Sequence, residues 1–298
     1  MGSKKRTGRF RKGHLYFVRF CLIAAAAGLS VAVLLLIHVA GVSLKPIFYA
    51  DKDGSTNNPT LSDAGGTASK DAMQALKTMA VENPKVKPIL QNSNQYPARL
   101  LESLARNPEL LDFALDYPKK KGTSKANIDL SNQYQSGKTP LLMQWDEDWG
   151  YAAYGDGIIA LDGCGPTCLS MVAVGLTGDT SLNPKAVASF SEKNGYLDEK
   201  TNSTLWTLMS EGARKFGLDS RELPLDENRM SQELSEGHPI ICSMRPGDFT
   251  TVGHFIVLYG YENGKFLVRD PNSKARSEKT WSYATLKPQI RNLWVFSK

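Results

Sequence analysis

The sequence predicts an α+β fold, because helix-like and strand-like patterning occupy successive parts of the chain. Apolar residues at helical spacing come first, over 164–178, 183–190, 203–216 and 230–234. Four β-branched and aromatic runs come after them, at 239–244, 254–261, 265–268 and 292–296, separated by turn signals that include Asn263–Gly264. Helices followed by strands describe a helical part packed on an antiparallel sheet, and one apolar span precedes it. At 298 residues and 41% apolar content, the chain holds one substantial core with appendages.

Taken in order, residues 1–19 form a basic tail with seven Lys and Arg and no acidic group. The rest of the chain then carries 29 basic against 30 acidic residues, so its composition gives no signal for nucleic acid. Residues 20–44 are uncharged, with His38 as the one strongly polar side chain. A stretch of this length spans a bilayer as a helix, and the preceding basic cluster directs the tail to the cytoplasm and the remainder outward. A cleaved signal peptide is the competing reading, with Ser43 and Ala50 as small residues near a cut. Localisation is therefore expected at the cell membrane as a single pass, or outside after cleavage.

Residues 45–71 read as a flexible stalk, rich in Gly, Ser, Thr, Asn and Asp. Its DKDGS start lacks the later acidic ligands of a calcium loop. Residues 72–138 hold two or three short helices, at Met73, Leu76, Met79 and Ala80 and then after Pro97 and Pro108, before a polar connection over 117–138. These helices bury little alone, which predicts packing on the next domain, with docking of a partner as the alternative. That main domain covers 139–298.

Within it, LDGCGPTCLSM over 161–171 sets Cys164 between two glycines, where Pro166 suits a first helical turn. A thiol at the positive end of a helix is predisposed to ionise, and the thiolate is the nucleophilic form. Taken alone, the stretch reads equally as a turn beside an inert buried cysteine. Cys168 and Cys242 either pair or serve as small buried hydrophobes.

Thiolate catalysis needs a base near the sulfur and a group that holds the imidazole. His14 and His38 fall in the tail and the span, and His238 in EGHPI reads as a surface turn. His254 opens a strand after the turn-rich loop 245–253, and Asp270 ends the next strand sixteen residues on. A two-residue Asn263–Gly264 turn offsets that pair by three positions, so direct facing asks for a longer loop. Gln144 is the candidate oxyanion donor, provided that the twenty residues before Cys164 fold back.

Four stretches together, QWDEDWG at 144–150 with Tyr154–Gly155, GCGPTCLSM at 163–171, GHFIVLYGY at 253–261 and VRDP at 268–271, resemble papain-like cysteine peptidases. They are similar to the domain that removes leader peptides from bacteriocins, in its bacterial surface-protein branch, over about residues 140–298. The resemblance implies a papain-like fold with Cys164 as nucleophile, His254 as base and acid, Asp270 as orienting group and Gln144 as oxyanion donor. Gln144 stands farther from the cysteine than in the leader-processing enzymes, and a span and stalk stand in place of a transporter. The expected protein is a membrane-anchored, extracytoplasmic peptidase acting on peptide or protein substrates, cell-wall peptide among them. Such chemistry calls for no metal and no cofactor. A wall amidase, or a silent peptide-binding or wall-binding module on the same fold, are the alternatives.

Overall fold

Helix α1 (Lys70–Glu82) begins where the Ser69 hydroxyl accepts the Ala72 N–H, two residues ahead of the sequence boundary at 72. The computed structural model describes residues 67–298, so the basic tail, the apolar span 20–44 and most of the stalk lie outside the described residues. Among the described residues no helix is long and apolar enough to cross a membrane.

After α1 come α2 (Lys87–Gln91), α3 (Ala98–Arg106) and α4 (Leu111–Lys120). Asn83 and Asn107 each accept the N–H two residues on, where Pro84 and Pro108 open 3₁₀ turns, which breaks the segment into short pieces. The four helices share one core around Leu76, Ile89, Leu100, Leu104 and Phe113, and it also contains Tyr151, Ile158 and Ala160 from the next part of the chain. Phe113 stacks on Tyr151 with ring centres 4.1 Å apart, and the Tyr151 hydroxyl donates to the Phe113 carbonyl at 3.0 Å. The helical segment thus packs on the main domain.

That domain opens with a hairpin, β1 (Ala153–Tyr154) and β2 (Gly157–Ile158), and continues through α5 (Ile159–Asp162), α6 (Cys164–Thr177) and α7 (Pro184–Lys193). Every residue of α6 from Gly165 to Gly175 is buried, and Gly178 ends it in the left-handed conformation that glycine adopts readily. The helix expected over 203–216 is shorter than the sequence suggests. Ser203–Thr204 forms β4 against β3 (Leu197–Asp198), Asn202 turns the chain at φ 51°, and the helix shrinks to 207–214 around a π-helical turn at Leu208–Gly212. The β-branched Thr204 and the Asn202 turn outweigh the apolar spacing there.

The sheet has six antiparallel strands: β5 (Asp219–Glu222), β6 (Ile240–Met244), β7 (His254–Glu262), β8 (Lys265–Arg269), β9 (Thr280–Trp281) and β10 (Ile290–Ser297). Their spatial order is β5-β10-β6-β7-β8-β9. One face packs through Ile241, Phe255, Val257 and Trp294 on α6, and the other through Ile240, Cys242, Ile256 and Leu258 on Met230 and Leu234 of α8 (Glu227–Ser235) and on Leu286. Burial on both faces explains why the 240–244 and 254–258 runs lack alternation. The edge strands β5 and β9 escape pattern reading, since DSRE is polar throughout and β9 is two residues long.

The β7–β8 hairpin turns at Asn263 and Gly264, both at positive φ, with Glu262 opposite Lys265. Leu258 pairs with Val268 but Gly260 with Leu267, so Tyr259 is an extra residue bulged from the ladder. The bulge removes one position from the expected offset of three. Val257 sits opposite Arg269, and the next step carries Asp270 against Ile256, diagonal to His254. No longer loop is needed.

Candidate active site

Cys164 is the first residue of α6 and is partly exposed. Its glycine neighbours are there for close approach rather than for backbone twist. A methyl group on Gly163 would lie 2.6 Å from the Ile159 side chain, and one on Gly165 2.8 Å from Thr204. Thr204 and Ser191 each share a 2.9 Å hydrogen bond with the buried Tyr154 hydroxyl, which anchors the backing of the cysteine turn. Burial pushes the Tyr154 phenol up, against the opposing effect of those two hydrogen bonds.

His254 opens β7 opposite Met244 and is buried. Its Nε2 donates to Asp270 Oδ1 at 2.8 Å, and the ring lines one cleft together with Cys164. Burial alone would lower the imidazole pKa; the Asp270 charge and hydrogen bond, with the Cys164 interactions, outweigh it and raise it to about 9. Asp270 thus holds the imidazole on the cleft that Cys164 also lines.

Asp270 is wholly enclosed. Its Oδ1 also accepts the Asn272 N–H at 2.8 Å, and its Oδ2 accepts Arg276 Nε at 2.5 Å. Its own N–H donates to Ser277 Oγ at 2.8 Å. Burial works to raise this carboxyl, yet the His254 and Arg276 charges and hydrogen bonds hold it below the ordinary carboxylate range. Arg276 and Ser277 lie on the short helix α9 (Lys274–Ser277), whose start is capped by the Ser273 hydroxyl.

Gln144 is brought to the same place. The intervening chain folds back through the β1–β2 hairpin, with Ala160 N–H donating to the Gly150 carbonyl and Ile159 N–H to Ala152. The buried Gln144 amide donates Nε2–H to the Ala160 carbonyl at 2.7 Å, and its backbone N–H donates to Pro271 at 2.8 Å. The first bond orients the amide, since a flipped side chain would set two acceptors face to face. One Nε2 hydrogen is left for another acceptor.

Cys164, His254, Gln144 and Arg276 line an open cleft of about 390 Å³. Loop 247–253 lines it too, held by Gln289, which accepts the Asp248 N–H and donates to the Asp248 carboxylate, both at 2.7 Å. Arg99, Glu102, Ser103, Arg106 and Asn107 of the helical segment also line it. His238 does not join the cluster; its Nδ1 meets Glu233 at 3.0 Å. Glu233, Glu236 and His238 lie within reach of one ion, but Glu233 is also paired with Arg221, and none of the three lines the cleft. Cys168 and Cys242 are free and buried, and burial pushes both thiols up.

Sequence reading missed Arg276, Ser277 and the cleft-lining Arg99, Arg106 and Asn107. The Ser273 cap signal two residues after Asp270–Pro271 was available for α9. Nothing in the local pattern of 98–107 marks a cleft wall.

Residues 127–297 match the model of the Peptidase_C39 like family. Among solved structures, the chain is similar to the peptidase domain of Streptococcus ComA, a bi-functional ABC transporter involved in a quorum sensing pathway. The identity is 21%, with 45% of this chain and 90% of that chain covered at a TM-score of 0.34. It is also similar to a putative C39-like peptidase from Bacillus anthracis, at 15% identity over 54% of this chain and 96% of that one, again with a TM-score of 0.34. No curated protein matches.

Proposed function

From the chain's place in the peptidase C39-like family, to which it belongs, we propose that it is a cysteine peptidase that hydrolyses peptide or amide bonds through a thioester on Cys164. The observation that carries this reading is the buried His254–Asp270 pair, closed at one end by Arg276 and set at the other on the cleft that Cys164 lines. A buried carboxylate that engages the far ring nitrogen fixes the imidazole for proton exchange with the sulfur.

In the proposed reaction the Cys164 thiolate attacks the substrate carbonyl carbon, and the C=O electron pair moves onto oxygen. The oxyanion is met by first-turn N–H groups of α6, which a helix does not use internally, and by the spare Nε2 hydrogen of Gln144. Collapse breaks the C–N bond, the imidazolium of His254 gives its proton to the leaving amine, and a thioester remains. Neutral His254 then takes a proton from water as that water attacks the thioester, the second tetrahedral species collapses with cleavage of the C–S bond, its electron pair returns to Cys164 as the thiolate, and the carboxylic product leaves. Asp270 stays ionised throughout.

The uncharged stretch 20–44 behind a basic tail supports a location on the outer side of a membrane, with the tail in the cytoplasm. Replacing Cys164 by Ala is expected to remove hydrolysis of an unfolded protein substrate by about 10⁶-fold, and alkylation at that position with it. Undiminished hydrolysis by the Cys164→Ala protein rules the reading out.

A further inference from the structure

The loop that holds Asp270 is itself gripped from outside the family domain. Glu109, in the 3₁₀ turn Pro108–Leu110, accepts Ser273 Oγ at 2.6 Å and the N–H groups of Lys274 and Ala275 at 2.8 and 3.3 Å. Asn107 Nδ2 donates to the Asn272 carbonyl at 2.6 Å, and its Oδ1 accepts the Glu109 N–H, which locks the two side chains into one bracket. Arg276 and Ser277 both reach Asp270 from the helix that this bracket caps. Residues 107–109 precede the 127–297 family match, yet they make four hydrogen bonds to the 272–275 turn.

We infer that Asn107 and Glu109 are positioning residues of the peptidase site, holding the Asp270 carboxylate against His254 through the 272–277 turn. The helical segment is thereby a working part of the site, and α3 supplies the wall of the cleft through Arg99 and Arg106. This role rests on the peptidase reading. The Glu109 carboxylate acts at a distance: it meets first-turn N–H groups of α9 and the Ser273 hydroxyl, and its loss frees α9 to tilt Arg276 off Asp270. Misplacing a supporting group by about an ångström costs on the order of 10²-fold in rate.

The charged and titratable groups facing His254 are Cys164 from α6, Asp270 after β8 and, behind it, Arg276 from α9; Asp248, Arg99, Glu102 and Arg106 line the cleft beyond. Weakening the hold on Asp270 therefore lowers the pH at which His254 gives up its proton.

The test uses the full chain with Glu109→Ala, Asn107→Leu and Glu109→Gln, and with Asp112→Ala as a control at an exposed ion pair of the same segment. Three measurements are compared: kcat and KM on a peptide substrate across pH, the pH profile of Cys164 alkylation mapped by peptide mass, and thermal unfolding. Glu109→Ala is expected to lower kcat by about tenfold or more with KM within about twofold, and to move the alkaline limb of both profiles downward. Glu109→Gln is expected to recover part of the loss, and Asp112→Ala to match the starting protein. Unchanged kcat and profiles in folded Glu109→Ala overturn the inference, as does a loss that tracks unfolding while both profiles stay in place. The alkylation profile reads the Cys164–His254 pair without turnover, so a starting protein that alkylates with this pH dependence but hydrolyses nothing sinks the peptidase reading and leaves the positioning test standing.

Discussion

His254 keeps its proton in a place that should strip it. Burial disfavours the imidazolium, and the fully enclosed Asp270 carboxylate more than compensates, so the ring titrates at about 9 instead of 6.5. For stability the sign is then fixed. A raised folded pKa contributes stability that is complete below pH 6.5 and is lost as pH rises through about 9. Asp270, lowered from 3.8, contributes above that value and loses its contribution as pH falls through its folded value. Denaturant midpoints across pH are expected to drop at both ends. In turnover, the alkaline limb of kcat/KM is expected near pH 9, where the proton destined for the leaving amine is gone. Asp270→Asn retains the shape but gives up the charge, and is expected to lower kcat by about 10²- to 10⁴-fold while moving that limb downward. Cys164, His254 and Asp270 were legible because each sits in a motif with its own chemical reason. Arg276 was not, because an arginine six residues past an aspartate reads as a solvated surface group until the turn between them is known.

At the scale of elements, α6 and the β7–β8 hairpin do separate jobs that the sequence disclosed unequally. The largely apolar course of α6 and its Gly–Cys–Gly start announce a buried helix with a reactive first residue. Its backing strand β4 was hidden, because 203–216 carries Leu205, Leu208 and Met209 at helical spacing while Thr204 is spent on Tyr154 and on the face of Gly165. Gly165→Ala is the sharp test of that backing. A methyl group 2.8 Å from Thr204 must displace the cysteine turn or strand β4, at a stability cost of about 1–3 kcal/mol by overpacking. Thermal unfolding and alkylation rate measured together should show both effects, and a Gly165→Ala protein with wild-type alkylation would mean that the turn is not held by this contact. Gln144 shows the opposite case. Its twenty-residue distance from Cys164 asked for the chain to fold back, and the β1–β2 hairpin closes it at the Ala160 carbonyl.

For the whole molecule, the helical segment and the main domain share a core instead of touching at a seam. Tyr151 lies among the apolar side chains of 76–117 and is fully buried there. Phe113→Ala removes its stacking partner and is expected to cost about 3–5 kcal/mol. The segment and the sheet should unfold in a single step, with far-UV and near-UV signals coincident. Two separated transitions would contradict the shared core. The packing of the segment was readable from its amphipathic pieces, whereas its reach to the 272–275 turn was not, since that depends on where Pro108 aims Glu109. The bulged Tyr259 bears on how such molecules are compared. The distance along the chain between His254 and Asp270 is a count of ladder steps plus one residue that makes no step. A chain with these residues one position closer, on a flat ladder, would bring the same two side chains together, so alignments that insist on a fixed interval between them will discard working sites.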